Sequence, residues 1–186
     1  MWSSKDIAGI ISMAVLSFVS TILVGQMATL LTGLHGANYC LTIVYAVQTS
    51  FSLLLYEGRR WRFLMQFSIF TLLIIPTYLG GGPFSIQTKI HFIPTALVVE
   101  LLFNSLYKPS KSRGKIMLWS VSGVVLFYLL LPSLSLLIRP LFYSPEAIAV
   151  FANMVLLLSP VIIIESLVGG YFGYKLHRRL KKECYK

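Results

Sequence analysis

The sequence has few charged residues and few of the groups that conventional active sites use. Only 12% of its 186 residues are charged, whereas soluble domains average about 25%. It lacks the HExxH and CxxC patterns, and its Gly triplet lacks the Gly-Lys-Ser/Thr ending of a phosphate-binding loop. These absences exclude an ordinary soluble domain and a protein that hydrolyses ATP itself, and we expect neither an enzyme nor a bound metal or cofactor.

Apolar residues, in contrast, make up 56% of the chain. A membrane-spanning helix needs about 20 of them, because the hydrocarbon layer is about 30 Å thick and each residue rises about 1.5 Å. Six apolar segments approach that length, at residues 7–31, 39–56, 63–79, 90–107, 116–137 and 147–174. The sequence therefore predicts an all-α integral membrane protein, with residues 1–186 forming one six-transmembrane-helix bundle.

The basic residues predict how this bundle is oriented. With six spans, both termini and the second and fourth loops lie on one side, which then carries 14 of the 16 Lys and Arg residues. Short loops rich in Lys and Arg stay in the cytoplasm. We therefore expect a multi-pass protein of the cell membrane with cytoplasmic termini. Topology and the anionic lipid bilayer explain the net charge of +10, so no nucleic-acid partner is expected.

The first apolar segment contains a ladder of small residues at every fourth position. The ladder consists of Ser17, Thr21, Gly25, Thr29 and Gly33. In lipid, close association of helices depends on small residues that let the backbones approach. The ladder predicts a packing surface, either for another helix of the same bundle or for a separate membrane protein.

The stretch from Gly80 to Pro94, GGGPFSIQTKIHFIP, separates two apolar segments. If Pro94 is the first residue of the fourth helix and Tyr107 the last, that helix is about 21 Å long and too short to cross the hydrocarbon. Irregular backbone at membrane depth is tolerated only where it is buried in protein or lines a cavity. The stretch therefore predicts a wall or lid of a cavity that opens to the outside.

Polar residues near this stretch and inside the later helices form a candidate substrate site. The candidates are Tyr78, Gln87, Lys89, His91, Glu100 and Asn153. Glu100 and Glu165 are the acids well inside predicted spans, where a carboxylate facing lipid costs about 2.5–3.5 kcal/mol. Two interpretations of Glu100 remain open, an ion pair with Lys89 or His91 and a contact with ligand. The basic outer face favours a ligand with a carboxylate or phosphate group, although polar loops alone also explain it.

His35 and Cys40, in HGANYC, permit a different hypothesis. A histidine beside a cysteine is the arrangement that activates a thiolate nucleophile, so a small membrane cysteine peptidase is one alternative. A free cysteine is also often a small apolar filler, without a chemical role.

Taken as a whole, the chain resembles the substrate-binding S component of an energy-coupling factor vitamin transporter. The similarity lies in its length, its six predicted helices, the outer connection in GGGPFSIQTKIHFIPTALVVELLFNSLYK, and the glycine-bearing end GGYFGYKLHRRLKK. The resemblance implies that the chain binds a vitamin or related small-molecule micronutrient between outer loops and later helices. It also implies docking to a transmembrane coupling subunit that two cytoplasmic ATPase subunits drive.

The same resemblance implies where docking occurs. In that family the first helix commonly presents two alanines, four residues apart, to the coupling subunit. Here the nearest match is Ala8 with Ser12, followed by Ser17, Thr21 and Gly25, so Ser12 departs from the pattern. The remaining alternative is a membrane scaffold like the rod-shape protein MreD, which needs no ligand and should tolerate changes at Lys89, His91 and Glu100.

Overall fold

A computed structural model describes residues 2–27, 41–79 and 82–183 of the chain. That part contains six α-helices and no strand. The helices are α1 (Ser4–Ser20), α2 (Thr42–Tyr56), α3 (Arg62–Ile74), α4 (Phe92–Ser112), α5 (Ile116–Ile138) and α6 (Pro145–Glu183). A π-helical segment, Thr21–Gln26, continues α1, and short 3₁₀ turns at Ile86–Thr88 and Arg139–Leu141 precede α4 and α6.

Four helical segments of the described residues are long and apolar enough to cross a membrane. They are Ser4–Gly25, Ile86–Ser112, Ile116–Leu141 and Pro145–Glu183. The other two, α2 and α3, have 15 and 13 residues and are only about 22 and 20 Å long. Large apolar side chains face outward, with Leu156 and Leu157 each 77% exposed, and such surfaces need lipid or protein cover. The structure supports a helical membrane protein in which four of the six predicted spans have full spanning length.

Prolines account for two differences from the predicted boundaries. α3 ends at Ile74, with Ile75 as its C-cap, instead of continuing to residue 79, because Pro76 has no backbone N–H to continue the helical hydrogen bonds. α4 begins at Phe92, so that Pro94 lies in its first turn, where a missing N–H costs nothing. α4 then continues past Pro109 to Ser112 for 21 residues, or about 31 Å. The fourth helix is therefore longer than the sequence predicted.

The start of α6 agrees with its local sequence. Pro145 is the first helical residue, and the Ser144 hydroxyl accepts a hydrogen bond from the backbone N–H of Ala147 at 3.4 Å. A short polar side chain before the first turn and a proline at the first position are typical of a helix start. α6 passes through Pro160 and has 39 residues in all, or about 58 Å.

The bundle is built around an aromatic core and one close helix pair. α1 packs against α3, α4 lies between α3 and α5, and α6 contacts α2 and α5. α2 and α6 run parallel, because Ile43 contacts Glu165 at one end and Glu57 contacts Lys181 at the other. In the core, the ring of Phe127 lies 4.5 Å from that of Phe67, between centroids. A gap remains between these rings and the polar side of α2.

Candidate functional site

That gap is a small cavity inside the bundle, with a volume of about 70 Å³. One wall is aromatic and the other is largely polar. The aromatic wall contains Phe67, Phe70, Phe92 and Phe127, and the polar wall contains Ser17, Thr21, Thr42, Tyr45, Gln48, Thr49 and Tyr128. A water molecule occupies about 30 Å³ in the liquid, so the cavity in this conformation holds only a few non-hydrogen atoms.

Most of the polar groups that line the cavity have hydrogen-bond partners in the described part of the chain. The hydroxyls of Thr49 and Tyr128 lie 2.9 Å apart, and the Gln48 side-chain amide donates to the hydroxyl of Ser20. The hydroxyl of Tyr45 is the exception, since it is buried and has no partner among the described residues. Burying a hydroxyl without a hydrogen bond is costly. A molecule in the cavity would remove that cost.

The polar wall arises from the helical spacing of α2. Thr42, Tyr45 and Thr49 are three and four residues apart, so they lie on one face of the helix. This face points into the bundle. The exposed positions of α2, such as Val44 and Leu55, carry apolar side chains instead. Sequence reasoning missed these residues because it followed charged groups. A polar stripe at helical spacing in an apolar helix was the available signal.

Lys89, a predicted site residue, has a structural role instead. Its side chain is fully buried. The ammonium group donates to the backbone carbonyl oxygens of Ile75, Thr77 and Gly82, at 2.9, 2.6 and 3.1 Å. These three contacts occupy all the donors of a lysine. Lys89 therefore holds together the connection between α3 and α4, and it does not line the cavity.

Glu100 is also engaged by the protein itself. It is 2% exposed, and its carboxylate accepts hydrogen bonds from the backbone N–H of Leu64 at 2.6 Å and the side-chain amide of Asn104 at 2.8 Å. Neither Lys89 nor His91 forms an ion pair with it among the described residues. His91 lies nine residues earlier in the chain, about 13 Å away along a helix. The structure therefore does not show the proposed Glu100 ion pair.

The other predicted site residues are dispersed. His91 is buried, stacks on Phe92 at 4.7 Å between ring centroids, and leaves Nδ1 without a partner among the described residues. Gln87 is half-buried and Tyr78 is 76% exposed. Asn153 is exposed on α6, so the expectation that it faces inward is wrong. None of the six residues predicted as a substrate site is among those lining the cavity.

The residues predicted for docking on the first helix divide between two surfaces. Ser17 is buried and Thr21 half-buried, and both line the cavity. Gly25 is also buried. Ala8 and Ser12 are exposed on the outside of α1. Of the predicted docking residues, only these two are therefore open to another protein.

Several predictions fall outside the described residues. These include the proposed His35 and Cys40 pair, the Thr29 and Gly33 end of the ladder, and Gly80 in the predicted lid. Among the residues that the structure does describe, no group of three or more His, Cys, Asp or Glu side chains is arranged to hold a metal ion.

The chain has no significant match to a family model, to a curated protein or to a solved structure. The resemblance to an S component therefore rests on the sequence features described above, and it stays a prediction.

Proposed function

We propose that this chain is the membrane-embedded substrate-binding subunit of a transporter, and that the cavity between α2 and the aromatic core is its solute site. The observation that carries this proposal is the buried hydroxyl of Tyr45, which lines the cavity without a hydrogen-bond partner among the described residues. Binding pockets commonly combine apolar walls with a few polar groups that fix orientation. A solute with a ring and a hydrogen-bonding group fits this arrangement.

The chemistry of the lining indicates an uncharged solute or an uncharged part of one. No Asp, Glu, Lys, Arg or His is among the described residues that line the cavity. An ion in such a site would lose its hydration without gaining a counter-ion. We therefore replace the earlier expectation of a carboxylate or phosphate in the site with a neutral ring bearing hydroxyl, amide or ring-nitrogen groups.

Binding a vitamin-sized molecule requires the cavity to widen. Pockets for drug-sized ligands have volumes of about 300–1,000 Å³, well above the 70 Å³ found here. Phe92 of the aromatic wall directly follows the connection that Lys89 holds in place. Movement of this connection would therefore displace Phe92. This is how the stretch from Gly80 to Pro94 would act as a gate.

Without a nucleotide-binding motif in its sequence, such a subunit would take the energy for transport from an ion gradient or from partners. We propose that a transmembrane coupling subunit and two cytoplasmic ATPase subunits supply it. Ala8 and Ser12 lie on an exposed face of α1 beside Ile7 and Ile11, which are 46% and 47% exposed. Small residues within an apolar helix face suit close packing against another membrane helix.

Native mass spectrometry of the detergent-purified protein tests the proposal. The protein would be measured alone and with a panel of vitamins and related metabolites, neutral and charged. We expect one neutral ring compound to bind stoichiometrically. Tyr45→Phe should reduce the affinity for this compound about 5- to 10-fold, the effect of one lost hydrogen bond. Tyr78→Phe, at an exposed position, is the matched control. The proposal is contradicted if no compound of the panel binds, or if Tyr45→Phe and Tyr78→Phe reduce the affinity equally.

A membrane scaffold remains a second candidate, and one observation favours it. Lys89 and Glu100, two of the predicted ligand contacts, are fully used in holding the fold together. A scaffold needs no ligand contacts, but with both side chains engaged by the protein it would not tolerate the changes at Lys89 and Glu100 that were expected above to be neutral. If the purified protein retains no small molecule but repeatedly copurifies with one membrane protein, the scaffold becomes the better explanation.

A further inference from the structure

A second and larger cavity lies at the opposite end of α2, with a volume of about 540 Å³. It is bounded by the loop after α2, the last turns of α4, the start of α5 and the last turns of α6. Tyr107 and Tyr174 contribute aromatic surface to it. Four cationic side chains surround these rings, Lys111, Arg178, Lys181 and Lys182. We call this cavity the basic groove.

The basic groove has an excess of positive charge. Glu57 is the one acid among its lining residues, and it forms an ion pair with Lys181 at 3.1 Å. Lys111, Arg178 and Lys182 have no ion-pair partner among the described residues. Lys111 also lies 5.7 Å from the centre of the Tyr107 ring, a distance at which the ring attracts a cation. The groove therefore holds four cationic side chains against a single acid, and this excess of positive charge favours an anionic ligand.

The position of the basic groove indicates the source of that anion. The distribution of Lys and Arg predicts that this end of the bundle faces the cytoplasm, and the cytoplasmic leaflet carries anionic lipids. Tyrosines are enriched at the membrane interface, where lipid headgroups lie. Leu54 and Ile116 add apolar surface to the groove beside the two tyrosines. A ligand with both a phosphate and acyl chains matches these features.

We propose that the basic groove binds the phosphate group of an anionic phospholipid. Lys111 from α4 and Arg178 and Lys182 from α6 hold the phosphate oxygens, since a guanidinium group and ammonium groups are the usual partners of phosphate. The lipid thereby links the end of α4 to the end of α6. The site is separate from the solute cavity, so this inference does not depend on the proposed function.

The test compares two double variants of the full-length protein by native mass spectrometry with phosphatidylglycerol, with phosphatidylcholine, and with glycerol phosphate. The groove variant combines Lys111→Gln with Arg178→Gln. The control combines Lys108→Gln with Arg113→Gln, which removes the same charge at exposed positions outside the groove. Basic residues at a membrane surface each contribute about 1 kcal/mol to binding of anionic lipid. We expect phosphatidylglycerol to bind the groove variant at least about tenfold more weakly than the control.

Each outcome decides for or against the proposal. If only the groove variant loses binding of phosphatidylglycerol, and phosphatidylcholine and glycerol phosphate bind weakly, the result supports a lipid site. Equal loss in both variants would show a general charge effect and overturn it. Glycerol phosphate binding as strongly as the lipid would overturn the lipid assignment. If the groove variant does not fold, Lys182→Glu alone, compared with Lys108→Glu, gives the same test at an exposed side chain.

Discussion

The carboxylate of Glu100 in α4 accepts a hydrogen bond of 2.6 Å from the backbone N–H of Leu64, in the first turn of α3. The first turn of a helix has N–H groups without helical partners and the positive end of the helix dipole. No side chain at the start of α3 caps it. Glu165 of α6 takes the same position at α2, where it accepts from the backbone N–H of Ile43 at 3.3 Å. Two intramembrane acids therefore stabilise the starts of the two short helices.

Glu100→Ala is expected to destabilise the protein. It removes the acceptor of a partly buried N–H, a loss of about 1–3 kcal/mol, and the thermal unfolding midpoint in detergent should fall clearly. Glu100→Gln should have a smaller effect because its amide oxygen still accepts. Glu146→Ala, at an exposed position, serves as the control. An unchanged midpoint together with lost solute binding would instead identify Glu100 as a ligand contact.

Lys89→Met is expected to loosen the connection between α3 and α4. Methionine has a similar length but no ammonium group, so the carbonyl oxygens of Ile75, Thr77 and Gly82 lose their shared donor. Hydrogen exchange at backbone amides of residues 82–91 should become at least about tenfold faster, which corresponds to about 1.4 kcal/mol of local stability.

Lys115→Met, at an exposed residue between α4 and α5, is the control and should leave this exchange unaltered. Because Phe92 follows the loosened segment, the affinity for solute should also change in the Lys89 variant. Exchange rates that match the unmodified protein would show that these hydrogen bonds do not determine the stability of the connection.

The roles of Lys89 and Glu100 illustrate what the sequence could not predict. Glu100 was predicted to be partnered, because a charge facing lipid is costly, and Lys89 was one of the partners proposed for it. Lys89 donates to backbone groups as far as 14 residues away, and Glu100 accepts from a backbone N–H 36 residues away as well as from the side chain of Asn104. Every residue except proline carries the same N–H and C=O groups, so the sequence does not mark which backbone groups are free. Side-chain partners such as His91 were the ones that sequence reasoning could propose.

Local signals, in contrast, were informative. Ser144 and Pro145 are a local signal for the start of α6, because capping depends on adjacent residues. The apolar runs predicted helices of a membrane protein, while the lengths of α3 and α4 depended on how Pro76, Pro94 and Pro109 were accommodated. The cavity lies where several helices meet, so its composition depended on packing between distant segments. Of the cavity lining, only the polar face of α2 could have been predicted from the sequence.

The ion pair between Glu57 and Lys181 should make stability depend slightly on pH. Burial raises the pKa of Glu57, but the hydrogen bond and charge of Lys181, with the charges of Lys111 and Arg59, outweigh burial and lower the pKa below its ordinary 4.5. Because the pKa of Glu57 is lower in the folded protein than in the unfolded chain, the ion pair stabilises the protein fully when the pH is above the unfolded-state pKa. This stabilisation is lost as the pH falls through the folded-state pKa. Because Lys181 is 51% exposed, we expect less than about 1 kcal/mol.

Thermal unfolding of the unmodified protein and of Glu57→Gln, from pH 7 down to pH 3, measures this contribution. The difference between their midpoints should be constant near neutral pH and should shrink below about pH 4.5. A difference that grows as the pH falls would have the wrong sign for this ion pair.

The close packing of α2 on α6 gives the sharpest test of the fold, because adjacent glycines differ in their surroundings. A Cβ atom at Gly169 would lie 2.6 Å from the Ile43 carbonyl oxygen and from the Ala46 Cβ, whereas at Gly170 the nearest atom, the Cα of Val121, is 3.3 Å away. Gly169→Ala must separate α2 from α6, and overpacking of this kind costs about 1–3 kcal/mol. Gly170→Ala needs only a small adjustment and gains helix propensity. In detergent, Gly169→Ala should lower the unfolding midpoint clearly and Gly170→Ala much less; equal effects would show that α2 and α6 are not in this register.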